Sequence, residues 1–198
     1  MIEKWASIKG YNIRYLTKGT GNPFVLLHGF SFLAETWIEM GLFDELAEQY
    51  TVYAFDMPYG MKSKSAKFEA GNRAEYAEFL HEMLKTLHID KPILLGASIS
   101  GEVTLRYLSL NYQARAGILA GPVNVKNLMS TLERISVPIL AVWGETDNIA
   151  PPGNAKLVAA HVKNAVVKVI EGAGHACYLD RPGEFKSLVK NFLQTLPA

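Results

Sequence analysis

Short apolar runs rich in β-branched residues alternate along the chain with longer stretches in which apolar residues recur every three or four positions. A short apolar run is typical of a strand that is buried on both faces, whereas the longer period is typical of a helix with one buried face. The alternation predicts parallel strands joined by crossover helices. The predicted buried strands are Phe24–Leu27, Val52–Phe55, Ile93–Leu95, Gly117–Leu119, Ile139–Trp143 and Val166–Ile170.

The first residues follow a different pattern. Lys4–Ile8 and Tyr11–Thr17 flank Lys9-Gly10, which predicts an antiparallel hairpin at the edge of the sheet. The spacing of apolar residues predicts one helix between Tyr76 and Leu87 and another between Phe185 and Leu196. The predicted fold class is therefore α/β, a mostly parallel twisted sheet with an antiparallel N-terminal hairpin and helices on both faces.

Composition narrows the classes of protein to consider. The 198 residues are 49% hydrophobic and carry a formal net charge of +1, so we expect a single domain over 1–198 and neither nucleic acid nor membrane as a partner. The single cysteine excludes an internal disulfide, and the N-terminus lacks the apolar stretch of a signal peptide, which favours a cytoplasmic protein. Neither metal-ligand spacing nor a phosphate-binding glycine motif is present, so we expect no cofactor.

One serine lies where an apolar strand meets a helix. The segment Gly96-Ala97-Ser98-Ile99-Ser100-Gly101 follows a predicted strand, and Glu102–Leu110 has the pattern of a helix. A sharp strand–turn–helix exposes a serine hydroxyl at the edge of the sheet, as a nucleophile requires. Taken alone, the segment is equally compatible with a serine that caps a helix.

An acid and a histidine follow two later strands. Asp147 comes shortly after Ile139–Trp143, and His175 comes shortly after Val166–Ile170. Loops that follow parallel strands meet at one edge of the sheet, so Ser98, Asp147 and His175 are expected to converge there. Each residue alone also suits a turn or a surface position, and Glu145 is a rival acid.

These segments resemble those of the α/β-hydrolase family. Ser98 matches the nucleophile of its G-x-S-x-G elbow, although Ser100 stands where the second glycine is usual. Asp147 and His175 match its acid and its histidine in the order Ser…Asp…His. The resemblance implies that Ser98 is the nucleophile, His175 the general base and Asp147 the acid that orients it.

Two further loops extend the resemblance. His28-Gly29-Phe30 is similar to the family's oxyanion segment, which implies that the N–H groups of Phe30 and Ile99 form the oxyanion hole and that His28 supports the loop. Asp56-Met57-Pro58 resembles the start of its D-x-P-G-x-G-x-S loop, but Tyr59 and Met61 replace the two glycines; Asp56 is expected to be structural. The short connection between Leu119 and Ile139 leaves no room for a cap domain.

The resemblance implies a minimal, cap-less serine esterase that hydrolyses small carboxylic esters. A thioesterase, acyltransferase or perhydrolase would use the same triad, and a non-catalytic ligand-binding or receptor protein would keep only the fold. The oligomeric state stays open. Cys177 is expected to pack as a small apolar side chain. Candidates for an apolar acyl pocket, any of which could equally belong to the core, are Phe30, Trp37, Tyr59, Met129 and Tyr178.

Overall fold

Eight strands form one sheet in the computed structural model, which describes residues 1–197. The strand order is β1-β2-β4-β3-β5-β6-β7-β8. β2 pairs antiparallel with both β1 and β4, and all other neighbouring strands are parallel. The strands are β1 Ile2–Ile8, β2 Tyr11–Lys18, β3 Pro23–Leu27, β4 Thr51–Phe55, β5 Ile93–Ala97, β6 Ala116–Ala120, β7 Ile139–Gly144 and β8 Ala165–Ile170.

The predicted mostly parallel sheet and its antiparallel N-terminal hairpin are confirmed. One feature of the prediction is wrong, because Val166–Ile170 was expected to be a buried strand. β8 lies at the edge of the sheet and alternates between exposed and partly buried side chains, and only Ile170 is fully buried. An apolar run indicates a strand, but it does not indicate whether both neighbours are present.

Eight helices pack on the two faces of the sheet, counted over residues 1–197. α3, α4, α5 and α6 pack into the core on one face, and α1, α2, α7 and α8 pack into the core on the other. The helices are α1 Thr36–Glu39, α2 Leu42–Leu46, α3 Arg73–Thr86, α4 Ile99–Ser109, α5 Met129–Leu132, α6 Asn154–His161, α7 Cys177–Asp180 and α8 Pro182–Thr195.

The connection between β6 and β7 is short. Residues 121–138 contain a 3₁₀ helix, Val125–Leu128, followed directly by α5. Within residues 1–197, no inserted segment covers this edge of the sheet as a cap domain would. None of the helices within residues 1–197 has the length and apolar character needed to cross a membrane.

Candidate active site

Ser98 occupies a sharp turn between β5 and α4. Its backbone has φ 55° and ψ −116°, a conformation that residues with a side chain rarely adopt and that costs about 1–3 kcal/mol. The turn is held on both sides, because Ser98 N–H donates to Ala120 O at 2.8 Å and Val123 N–H donates to Ser98 O at 3.3 Å. A Cβ on Gly96 would lie 2.3 Å from Ser100 O, so the turn requires glycine there.

Asp147 lies in the loop after β7 and its side chain is fully buried. One carboxylate oxygen, Oδ1, accepts hydrogen bonds from the N–H groups of Ile149 at 2.9 Å and Ala150 at 2.8 Å. The other oxygen, Oδ2, accepts from His175 Nδ1 at 2.9 Å. These three donors compensate for the burial of the carboxylate and fix its orientation.

His175 connects the other two side chains. Its Nε2 lies 2.8 Å from Ser98 Oγ. Since Asp147 accepts from Nδ1, the neutral imidazole carries its proton on Nδ1 and presents the lone pair of Nε2 to the serine hydroxyl. The structure therefore brings Ser98, His175 and Asp147 into one hydrogen-bonded row, although they are far apart along the chain.

Close backbone contacts hold the loops after β7 and β8 together. A Cβ on Gly144 would lie 2.0 Å from Gly174 O, so only glycine permits this approach. Thr146 N–H and its hydroxyl each donate to Ala173 O at 2.9 Å. The rival acid Glu145 accepts from Gly172 N–H at 3.0 Å and makes no hydrogen bond with His175 within residues 1–197.

The two predicted oxyanion donors lie on either side of Ser98. Ile99 begins α4, where the first N–H groups of a helix have no intrahelical acceptor. Phe30 follows Gly29, whose added Cβ would be 3.4 Å from Ser98 Cβ, so the H-G-x segment runs directly beside the serine. Within residues 1–197, neither N–H donates to another protein group. Both amides thus lack a protein acceptor in the described residues, as the donors of an oxyanion hole must.

His28 lies beneath this segment, apart from the Ser98–His175 row. Its Nε2 accepts from Met57 N–H at 2.9 Å, so Nδ1 carries the proton and donates to Gly29 O at 2.8 Å. Burial lowers the pKa of His28, which keeps the ring neutral. Its contacts are those of a residue that supports the loop.

Asp56 is also buried, and its hydrogen bonds join the loop after β3 to the loop after β4. Its carboxylate accepts from Ala34 N–H at 2.8 Å, Lys64 N–H at 3.2 Å and Arg14 Nη1 at 3.0 Å. Arg14 also binds Glu3 and Glu35. Sequence reasoning missed Arg14, because an arginine within a strand gives no local sign of its partners.

A cavity of about 670 Å³ lies near Ser98, although Ser98, Asp147 and His175 are not among its lining residues. Its lining includes Phe30 and Ile99, and also Tyr59 and Met61, the residues that stand in place of the family's two loop glycines. Their side chains therefore form part of a wall that glycine would leave open. The other apolar and aromatic lining residues include Pro58, Phe68 and Tyr76, and the charged ones are Lys67, Glu69 and Arg73.

Other candidates have different surroundings. Trp37 and Tyr178 are buried and stack on each other with ring centroids 5.1 Å apart, so they belong to the core. Cys177 is also buried, and burial raises the pKa of its thiol to about 12, which keeps it protonated. No group of three potential metal ligands lies together within residues 1–197.

Comparisons with known proteins agree with this arrangement. Residues 22–132 match the family model for the α/β hydrolase fold. The rat protein named "Putative protein-lysine deacylase ABHD14B" is 34% identical over 210 residues, which cover 99% of this chain and 97% of that protein. Human ABHD14A is 30% identical over 176 residues, which cover 87% of this chain but only 64% of that protein, so the chain spans somewhat less than two thirds of that relative's length.

A solved structure gives the same fold. The crystal structure of a "predicted CIB-like hydrolase" from Thermoplasma acidophilum aligns with a TM-score of 0.92 and 27% sequence identity over 98% of each chain. The fold of nearly the whole chain therefore has a close structural counterpart.

Proposed function

Because the chain belongs to the α/β-hydrolase fold family, we propose that it is a serine hydrolase that cleaves small carboxylic esters through a covalent acyl-enzyme. One observation carries the proposal: His175 Nε2 is 2.8 Å from Ser98 Oγ while its Nδ1 is 2.9 Å from the buried Asp147 carboxylate. A weak nucleophile, a correctly oriented base and an orienting acid in contact are the elements that acyl transfer needs.

In the first half of the reaction, Ser98 Oγ attacks the ester carbonyl carbon while its proton moves to His175 Nε2. The carbonyl oxygen becomes an oxyanion, which accepts hydrogen bonds from the N–H groups of Phe30 and Ile99. The intermediate collapses as the carbon–oxygen bond to the alcohol breaks, and the proton on His175 goes to the leaving oxygen. Asp147 stabilises the imidazolium that exists between these two transfers.

In the second half, water takes the place of the alcohol. His175 removes a proton from water, which attacks the acyl carbon, and the same two amides stabilise the new oxyanion. The bond from the carbon to Ser98 Oγ then breaks, and His175 returns the proton to the serine. The products are a carboxylic acid and the original enzyme.

The cavity beside Phe30 and Ile99 is the proposed site for the substrate. An apolar lining with a few polar groups at a concave surface is typical of sites for small molecules. Its opening lacks a cap domain in the described residues, so substrates of different sizes can approach Ser98. A small-molecule ester as partner and a cytoplasmic location are part of this proposal.

A second candidate substrate is an acylated lysine side chain. It is favoured by the printed name of the rat relative, "Putative protein-lysine deacylase ABHD14B", which aligns with nearly the whole chain. The chemistry would be the same except that His175 protonates a leaving amine. An open site is also compatible with a protein-borne acyl group.

The test measures hydrolysis of an aryl acetate by the wild-type protein and by Ser98→Ala. We expect turnover by the wild type and a loss of at least 10⁴-fold in kcat for the variant. Ser109→Ala is a matched control, since it removes a buried hydroxyl at the far end of α4 that donates to Arg106 O at 3.0 Å; it should retain activity. Both variants should keep the wild-type circular dichroism spectrum.

Parallel assays with an acetyl-lysine peptide, a thioester, and added thiol or peroxide as competing acceptors identify the preferred reaction from its products. A wild-type protein that is folded but turns over none of these substrates would contradict the proposal and favour a ligand-binding protein.

A further inference from the structure

Two departures from the family's motifs meet in the structure. Ser100 stands where the nucleophile elbow usually has its second glycine, and Tyr59 stands where the loop after β4 usually has its first. The two residues are 41 positions apart, yet Tyr59 Oη lies 2.5 Å from Ser100 Oγ, and both residues are buried. Each introduces a buried polar group, and each satisfies the other, so the two substitutions form one unit.

The direction of these hydrogen bonds follows from the number of protons. Ser100 Oγ donates to the carbonyl oxygen of His28. A serine hydroxyl has one proton, so Ser100 must accept from Tyr59. Burial raises the pKa of Tyr59, which keeps the phenol protonated and able to donate. The hydrogen-bond chain runs from Tyr59 through Ser100 to the His28 carbonyl.

The His28 carbonyl belongs to the first of two successive peptide groups that lead to Phe30. The second carries Gly29 O, which accepts from His28 Nδ1 at 2.8 Å and from Phe32 N–H at 3.1 Å. A trans peptide group is planar, so fixing Gly29 O turns the Phe30 N–H in the opposite direction. Ser100 fixes the preceding peptide group, and it also directly follows Ile99, the residue that carries the other donor.

We propose that Tyr59 and Ser100 are positioning residues that tie the His28–Phe30 segment to the nucleophile elbow and thereby set the spacing of the Phe30 and Ile99 N–H groups. This inference rests on the proposed function, because it assigns a role in stabilising the oxyanion. Within residues 1–197, neither hydroxyl hydrogen-bonds to Ser98, His175 or Asp147, so both would act through the backbone. Catalysis is sensitive to such spacing, since a displacement of about 1 Å can reduce a rate 10²-fold.

The test is Tyr59→Phe, which removes one hydroxyl and keeps the ring that lines the cavity. We expect kcat for an aryl acetate to fall about 10-fold while KM changes less than 2-fold, because the lost interaction acts on the transition state. Affinity for a trifluoromethyl ketone, which forms a tetrahedral oxyanion on serine, should fall by a similar factor. A merely structural role would lower thermal stability without weakening that affinity.

Tyr107→Phe is the matched control. Tyr107 is also buried, and its hydroxyl donates to Gln113 O at 3.1 Å, but it lies nine residues beyond Ser98 in sequence, toward the far end of α4. Its removal should leave kcat and inhibitor affinity within 2-fold of wild type. If Tyr59→Phe fails to fold, Ser100→Gly makes the same measurement, and it should also lose about 10-fold in kcat although it restores the family's usual residue.

The double variant Tyr59→Phe/Ser100→Ala, compared with Tyr59→Phe and Ser100→Ala alone, tests whether the two hydroxyls act as one hydrogen-bond chain or independently. We expect its loss in kcat to be clearly smaller than the product of the two single losses, since both interrupt the same chain. Single variants that fold and keep wild-type kcat and inhibitor affinity would overturn the inference while leaving Ser98-dependent hydrolysis intact. A wild type without such hydrolysis would overturn both proposals.

Discussion

Two loops of this protein each bury an aspartate that accepts from two main-chain N–H groups and one side chain, but the two side-chain donors differ. Asp56 follows β4 and accepts from two main-chain N–H groups and from the guanidinium of Arg14. Asp147 follows β7 and accepts from two main-chain N–H groups and from the imidazole of His175. Both carboxylates are fully buried.

The third donor makes the difference. Arg14 is permanently charged and divides its hydrogen bonds among Asp56, Glu3 and Glu35, so the network around Asp56 ends in other carboxylates. His175 has a second nitrogen, which faces Ser98. Burial and hydrogen bonding therefore do not show whether a carboxylate has a structural role or is a candidate for a catalytic one. The side chain to which it is hydrogen-bonded, and the next group that this side chain contacts, make that distinction.

Asp147→Asn should have the largest effect on activity. The Asn amide would donate to the ring, so His175 would present a proton to Ser98 and could no longer act as the proposed general base. We expect kcat for an aryl acetate to fall about 10⁴-fold, with a melting temperature close to that of wild type. A variant that keeps more than a tenth of the wild-type kcat would contradict the assignment.

Asp56→Ala should instead affect stability. It leaves the guanidinium of Arg14 buried without its most buried partner, and breaking a buried ion pair in this way costs about 3–5 kcal/mol. The measurement is urea unfolding at pH 7. Asp44→Ala is the control, because its ion pair with Lys18 is exposed and should contribute less than about 1 kcal/mol. Equal losses in the two variants would show that Asp56 is not an anchor.

Glu35→Gln should lower the free energy of unfolding by a smaller amount, which depends on pH. Burial favours a raised pKa for Glu35, but hydrogen bonds from Arg14 and Lys64 outweigh it and lower the pKa to about 2. Because the pKa is lower in the folded state, the ionised carboxylate stabilises the protein above about pH 4.5, and this contribution is lost as the pH falls toward 2.

The free energy of unfolding at pH 7 should therefore be about 1–2 kcal/mol higher for the wild type than for Glu35→Gln. This figure allows for solvent screening, because the Glu35 side chain is 27% exposed. Unfolding at pH 7, 4 and 3 tests this. The difference should shrink steadily over the series, and a difference that grows toward acid would refute the sign of the effect.

Glu145→Gln should have the smallest effect. Its carboxylate accepts from Gly172 N–H rather than from His175, and an amide oxygen can accept the same hydrogen bond. We expect kcat to change less than 2-fold. A loss of kcat approaching that of Asp147→Asn would indicate that Glu145 is the functional acid. Asp147 would then lose the role that distinguishes it from Asp56.

The sequence predicted those elements whose pattern is local. The central strands are buried on both faces, so each is a continuous apolar run, and α3 and α8 are long enough to show helical periodicity. The short helices α1 and α2 have only four and five residues, which is less than two turns, so their periodicity could not be recognised. The edge position of β8 depends on the order of strands, which no local pattern encodes.

The same distinction applies to the site. Ser98, Asp147 and His175 were recognisable because each follows a strand and matches a motif of the family. The hydrogen bonds of Arg14 with Asp56 and of Tyr59 with Ser100 join residues 42 and 41 positions apart. Arginine and tyrosine have no preferred partner that a single sequence would reveal, so only the folded arrangement identifies these pairs.

The most direct measurement of the central claim is intact-mass analysis after reaction with a fluorophosphonate, which captures only an activated serine. The account predicts one adduct per wild-type chain, located on the peptide that contains Ser98, much slower labelling of Asp147→Asn, and no adduct on Ser98→Ala. A folded wild-type protein that stays unlabelled, or that carries the adduct on another residue, would contradict it.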